Sequence, residues 1–172
     1  MTIQTHWVER NFQFQHAPGL FPVVFSRLEG TIFRLHHLLA NADDELCGKA
    51  QNGWSVKQHV GHLYDLEALW WQRLNDYENG LDVFMAGDIT NAKTEAANYN
   101  ETSLEKLANL FLVERQKLLE RIYPFGEREL LQTAMHPRLQ VPMRLIDSLY
   151  FIAEHDDHHL AAISTLLRIP IS

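Results

Sequence analysis

Ten histidines are distributed over the 172 residues, and several stand close together: His36 with His37, His59 with His62, and His155 with His158 and His159. The pair His155 and His159 has the clearest chemistry. The apolar positions of its segment run Leu145, Leu149, Ile152, then His155 and His159, then Ile163 and Leu166, in steps of three and four. Two imidazoles therefore occupy core-facing positions one helical turn apart, where both nitrogens can converge on one ion at about 2 Å. A hydrogen-bonded pair of core or interface histidines has the same spacing.

A third imidazole would complete a metal site, and WSVKQHVGHLYD offers two, His59 and His62. At about 100° per residue His59 projects nearer the middle of that segment's apolar face and His62 nearer its shoulder, beside Leu66 and Leu69. Periodicity slightly favours His59, but the packing angle of the neighbouring helix leaves both open. Three neutral nitrogen ligands keep at least one coordination position free, as catalytic rather than structural sites do.

The elements that must position these residues are helical. Phe25, Leu28, Ile32, Leu35 and Leu39 predict a first helix ending near Asn41. Asp43 to Ala50 is compatible with a short helical turn, and Asn52-Gly53 punctuates the chain. Val56, Val60, Leu63, Leu66, Trp70 and Leu74 predict a second helix over Ser55 to Tyr77, capped by Ser55 and stopped at Asn79-Gly80. Leu81 to Asn100 is polar and aperiodic, a long connection that can form part of a lid.

Thr102 and Glu105 have capping-box spacing before a third helix, whose stripe is Leu104, Leu107, Phe111, Leu118 and Ile122. Glu127 to Met135 reads as a short helix. A fourth begins with Pro142 in its first turn and runs to about Arg168, before Pro170. No segment alternates as a strand should. Four amphipathic helices sharing a core predict an all-α four-helix bundle, with a long connection between helices two and three, as one domain over residues 1–172.

Composition excludes several classes. The hydrophobic content of 46% supports a real core, and no apolar run approaches the roughly 20 residues of a membrane span. The opening MTIQTHWVERNFQFQ lacks a secretory pattern, and the lone Cys47 asks for no oxidising compartment, so a cytoplasmic protein is expected. Net charge is −7 with basic residues scattered among acidic ones, which leaves nucleic acid no electrostatic footprint. Trp7, Phe12, Phe14, Leu20 and Phe21 are compatible with a homodimer face or with a cap on the bundle.

Trp54-Ser55 followed by His62 and Asp65, with a late HxxxH inside HDDHHLAAI, resembles the DinB/YfiT-like superfamily. The similarity covers nearly the whole chain, including NETSLEKLANLFLVER and His136-Pro137. It implies a metal, often nickel or zinc, held by one histidine of the second helix and two of the HxxxH, which by position are His62, His155 and His159. On that ground His62 displaces His59. The resemblance further implies a metal-dependent enzyme acting on a small molecule, either an S-transferase using a low-molecular-weight thiol or a hydrolase, with non-catalytic metal-binding and stress-response members as the alternative class.

Other readings of these residues are weaker. HDDHH departs from the zincin HExxH by an aspartate, and no His, Cys, Asp or Glu follows His159 to serve as a downstream ligand. Helices two and four lack the paired Glu-x-x-His motifs of a di-iron bundle. Cys47 sits in an acidic segment that suppresses its thiolate. Asp65 is placed to orient a ligand ring or to face solvent, and Glu154 and Asp156 share that ambiguity. His158 should point about 100° away from His159. Tyr64, Trp70, the Leu81 to Asn100 loop and Arg115 are the candidates for a substrate-binding wall.

Overall fold

In the computed structural model, which describes residues 4–50 and 53–168, four long helices carry the architecture: α1 (Phe21–Leu39), α3 (Val56–Glu78), α5 (Leu104–Ile122) and α7 (Leu145–Leu166). Short helices α2 (Asp44–Cys47), α4 (Ala92–Ala96) and α6 (Glu127–Leu130) and two three-residue strands, β1 (Thr133–Met135) and β2 (Pro142–Arg144), fill the connections. The helices form a ring in which α7 packs between α1 and α3, and α5 packs between them on the other side. Among the described residues no helix is long and apolar enough to cross a membrane. Asn52 and Pro170, the expected turn and stop, lie outside the described residues.

Each expected stripe faces the shared core. Leu28, Ile32 and Leu35 of α1, Val60, Leu63 and Trp70 of α3, Leu107, Phe111 and Leu118 of α5, and Leu149, Ile152 and Ile163 of α7 are all buried. Truncating one of the large ones to alanine should cost about 2–5 kcal/mol, because the surroundings relax only partly. The start of α3 is fixed as expected. The Ser55 hydroxyl accepts the Gln58 N–H at 3.1 Å, and the Gln58 side chain accepts the Ser55 N–H at 3.0 Å.

Two expected helix starts are corrected. Thr102 closes a 3-10 turn over Tyr99–Glu101, and α5 is capped instead by Ser103, whose hydroxyl accepts the Lys106 N–H at 3.3 Å. Pro142 lies in β2, not in the last helix, and pairs with Met135 in an antiparallel hairpin. A proline is tolerated there because a strand end need not donate to the ladder. Asp147 then anchors the start of α7: one oxygen accepts the Arg144 N–H, and the other accepts the N–H groups of Gln15 and His16, each at 2.8 Å. The expected absence of strands is likewise overturned, and the stretch from Glu127 splits into α6 and β1.

The N-terminal segment runs back over the bundle. Trp7, Phe12, Phe14, Leu20 and Phe21 are all partly buried against the core, so they cap it rather than form an open apolar face. At the centre, Arg115 is fully buried between Glu67 of α3 and Asp156 of α7. Its guanidinium donates to both carboxylates and to the Leu28 carbonyl, and Thr31 adds a donor to Asp156 at 2.9 Å. One ionic cluster thereby ties all four long helices together.

Candidate metal centre

His62 on α3 and His155 and His159 on α7 meet where these two helices touch, and all three are buried. One nitrogen from each lies within 4.8 Å of the others. The Nε2 atoms of His155 and His159 are 3.1 Å apart, close to the roughly 3–3.4 Å that two imidazoles span when both bind one ion at about 2.1 Å. Burial holds all three rings neutral: the pKa of His62 is pushed down to about 4, and those of His155 and His159 fall well below the ordinary histidine value. Neutral, unprotonated nitrogen is the form a metal needs.

The far sides of two rings are held. His62 Nδ1 lies 3.1 Å from the Thr94 hydroxyl, which in turn donates to Asp65 at 2.8 Å; Tyr99 donates to the same carboxylate at 2.6 Å, and Lys93 pairs with it. An Nδ1–H directed at Thr94 leaves the Nε2 lone pair free. Asp65 therefore orients the ring through a hydroxyl rather than by direct contact. His159 Nδ1 faces His59 Nδ1 at 2.9 Å, so His59 backs His159. His155 Nδ1 is buried without a hydrogen-bond partner, its ring edge-on to Trp7 and Trp70.

Close contact of helix α3 with the segment that follows it makes this support possible. Gly61 lies directly beneath the Tyr99 ring, and a Cβ there would overlap it. Trp54 packs over His62 and His159, and its indole donates to Glu95 at 2.6 Å. The polar stretch after α3 is thus a cover whose short helix α4 delivers Thr94 to the site.

The histidines open into a cavity of about 350 Å³. Trp7, Trp54, Leu66, Leu69, Trp70 and Phe151 form much of its wall, and Arg73, His136 and Arg138 lie on it too. Of the expected wall residues, Trp70 and the part of the loop from Ala86 to Asn91 line it. Tyr64 instead lies under the Lys93 ammonium, and Arg115 belongs to the core cluster. Glu154 pairs with Arg10 and Arg27, and Asp156 with Arg115, so neither reaches a ligand ring.

His158 is turned away from the other two, with Gln4 donating to its Nδ1 at 2.9 Å, yet it sits at the cavity rim. His36 and His37 are exposed on α1. Burial and the nearby Asp44 raise the Cys47 pKa, which leaves it an unreactive thiol. Sequence reasoning missed Arg73 and His136 as cavity residues. Arg73 is in register with the site on α3, at steps of three and four from His62 through Leu66 and Leu69, and that was a readable signal. His136 stands out in the sequence only as part of the His136-Pro137 pair of the family resemblance, and its place on the cavity depends on a hairpin that periodicity does not reveal.

The structure is similar to that of YfiT from Bacillus subtilis, a protein described as a probable metal-dependent hydrolase with an unusual four-helix bundle topology. The TM-score is 0.81 at 18% identity, over 93% of each chain. At that identity the likeness is one of fold. Among curated proteins no match is found. Residues 27–163 match the family model of the DinB superfamily. With most of its length matched, from α1 through the second histidine of the HxxxH, the chain belongs to the DinB superfamily.

Proposed function

We propose that the protein is a metal-dependent enzyme in which His62, His155 and His159 hold a divalent ion, nickel or zinc, beside a cavity for a small-molecule substrate. The observation that carries this reading is the convergence of three buried, neutral imidazole nitrogens within 4.8 Å. The donor set fits: imidazole suits zinc and nickel, and three protein ligands leave room for a reactant. Bound there, such an ion supplies a Lewis-acidic centre that lowers the pKa of water or of a thiol and polarises an electrophile.

The protein's own residues do the rest. Thr94 with Asp65, and His59, fix two ligand rings, while Trp7, Trp54 and Trp70 pack against the histidine rings. YfiT, described as a probable metal-dependent hydrolase, lends support to hydrolysis. The second reading is S-transfer to a low-molecular-weight thiol. The same cavity has room for such a thiol beside the ion, and Cys47, buried and outside the cavity lining, cannot supply one.

Elemental analysis of purified protein tests the metal: one divalent ion per chain is expected, lost in His62→Ala and His159→Ala. Retention in both variants overturns the site. Turnover of an electrophile panel by metal-loaded protein, with and without low-molecular-weight thiols, separates transferase from hydrolase. Absence of turnover in both arms would favour a non-catalytic metal-binding protein.

A further inference from the structure

Arg73 is a buried cation with no ion-pair partner in contact among the described residues, the buried Asp76 carboxylate acting on it only from a distance. Its side chain is 94% shielded, as the residue's relative exposure is 6%, yet among the described residues no carboxylate forms an ion pair with it. Only its Nε is committed, donating to the Met85 carbonyl at 3.0 Å. The guanidinium carbon stands over the rings of Trp70 and Phe84, at 5.3 and 4.6 Å from their centres, and among the described residues neither Nη has a hydrogen-bond partner, while the residue lines the cavity. The nearby Asp76 is occupied by the Met85 N–H and the Gln72 amide. Asp88, also on the cavity wall, is occupied by Thr90 and the Ala92 N–H.

The surroundings add donors of the same sense. His136 Nδ1 accepts the backbone N–H groups of Arg138 and Leu139, at 3.2 and 3.1 Å, so its hydrogen must reside on Nε2. Burial and the charges of Arg73 and Arg138 depress its pKa to about 3, which keeps the ring a neutral donor. Desolvated cations are tolerated when an anion completes them, and a guanidinium with two free N–H edges matches a planar carboxylate. Between this end and the histidines lie Leu66, Leu69 and the Trp70 indole, which also stands 5.9 Å from the His155 ring centre. With the Arg73 guanidinium 5.3 Å from the Trp70 ring and that ring 5.9 Å from His155, the two ends of the cavity are at most about 11 Å apart, the reach of an eight-carbon chain.

We propose that Arg73, with His136 and Arg138 beside it, anchors the carboxylate of an acidic substrate whose apolar middle crosses Leu66, Leu69 and Trp70 and whose reacting group reaches the three histidines. This rests on the reading of that cavity as a substrate site. Arg73 is a specificity residue here, since it contacts the substrate far from the reacting atoms.

The test uses octanoate, octanamide and octyl phosphate as probes, with binding read from the fluorescence of the tryptophans lining the cavity, in protein as purified and after metal removal. Octanoate should bind about ten- to a hundredfold more tightly than octanamide, the factor that a charge-assisted pair confers. Octyl phosphate binding more tightly than octanoate would overturn carboxylate in favour of phosphoryl recognition. The preference for acid over amide should vanish in Arg73→Gln, fall partway in Arg73→Lys, and persist in His62→Ala even though metal is lost there. That last arm separates failure of this proposal from failure of the metal site.

Loss of the preference in His62→Ala, with retention in Arg73→Gln, would place the acid at the histidines and overturn the proposal, as would equal binding of acid and amide. Should Arg73→Gln fail to fold, the wild-type crystal structure with 8-bromooctanoate decides. The bromine anomalous peak belongs beside the histidines if the carboxylate is at Arg73, and the reverse orientation overturns the assignment.

Discussion

The Nδ1 atoms of His59 and His159 lie 2.9 Å apart, so one of these nitrogens carries the hydrogen and the other accepts it. Donation from His159 leaves its Nε2 bare toward the metal centre. His59 is thus a positioning residue, and His59→Ala should lower metal affinity by about 10–100-fold without abolishing binding. Competition against a calibrated chelator measures this. Loss as complete as in His62→Ala would mean that His59 is itself a ligand.

Gly61→Ala should act at a distance from the histidines. A methyl group at Gly61 displaces the Tyr99 ring, and Tyr99 holds Asp65, which holds Thr94 against His62. Overpacking of this kind costs about 1–3 kcal/mol. The expected outcome is a lower urea midpoint together with weaker metal binding. Unchanged metal affinity in a destabilised variant would uncouple Tyr99 from the site.

Arg115 and its two carboxylates make opposite predictions. Arg115→Met strands the buried Asp156 carboxylate and drives Glu67 further toward its neutral form, and should cost about 3–5 kcal/mol, enough to threaten folding. Glu67→Gln should be mild, because burial raises the Glu67 pKa to about 7. A carboxyl whose pKa is higher folded than unfolded loses stability as pH rises from its ordinary 4.5 to about 7. Relative to wild type, Glu67→Gln should therefore be more stable at pH 8 than at pH 5, as read from paired urea melts.

Metal-free protein should be destabilised by mild acid. Burial depresses His59 and His62 from 6.5 to about 4 and His136 to about 3. Between those values and 6.5 the unfolded chain binds more protons than the folded one, so this contribution is complete above pH 6.5 and is lost as pH falls toward 4. The loss should be on the order of a kcal/mol or more per histidine, against which the single opposing Glu67 is outnumbered. Urea midpoints at pH 7, 5.5 and 4.5 should descend in that order, and a flat series would contradict the neutral cluster.

The four helices and the pair His155 and His159 were legible in the sequence because both depend on a period of 3.6 alone. His62 against His59 was not. Periodicity assumes one buried face, whereas the cover formed by α4 and Tyr99 buries a second flank of α3 and brings His62 inside, while His59 stays half-buried against Trp54 and His159. The family resemblance distinguished them through the order of Trp54, His62 and Asp65. Thr102 and Ser103 are adjacent cap formers, and only the 3-10 turn ahead of them decides which one serves. Strands of three residues are too short to show alternation, and without them neither Pro142 nor His136 could be placed.

The ring order of the helices has a kinetic consequence. Since α7 seats between α1 and α3, its contacts close loops of roughly a hundred residues, and such non-local pairings form slowly. His62 leaves the ribosome long before His155 and His159, and the three meet only once the last helix docks. An ion held by all three, as proposed, would therefore be captured only at the end of folding, where it would act as a latch on the finished bundle.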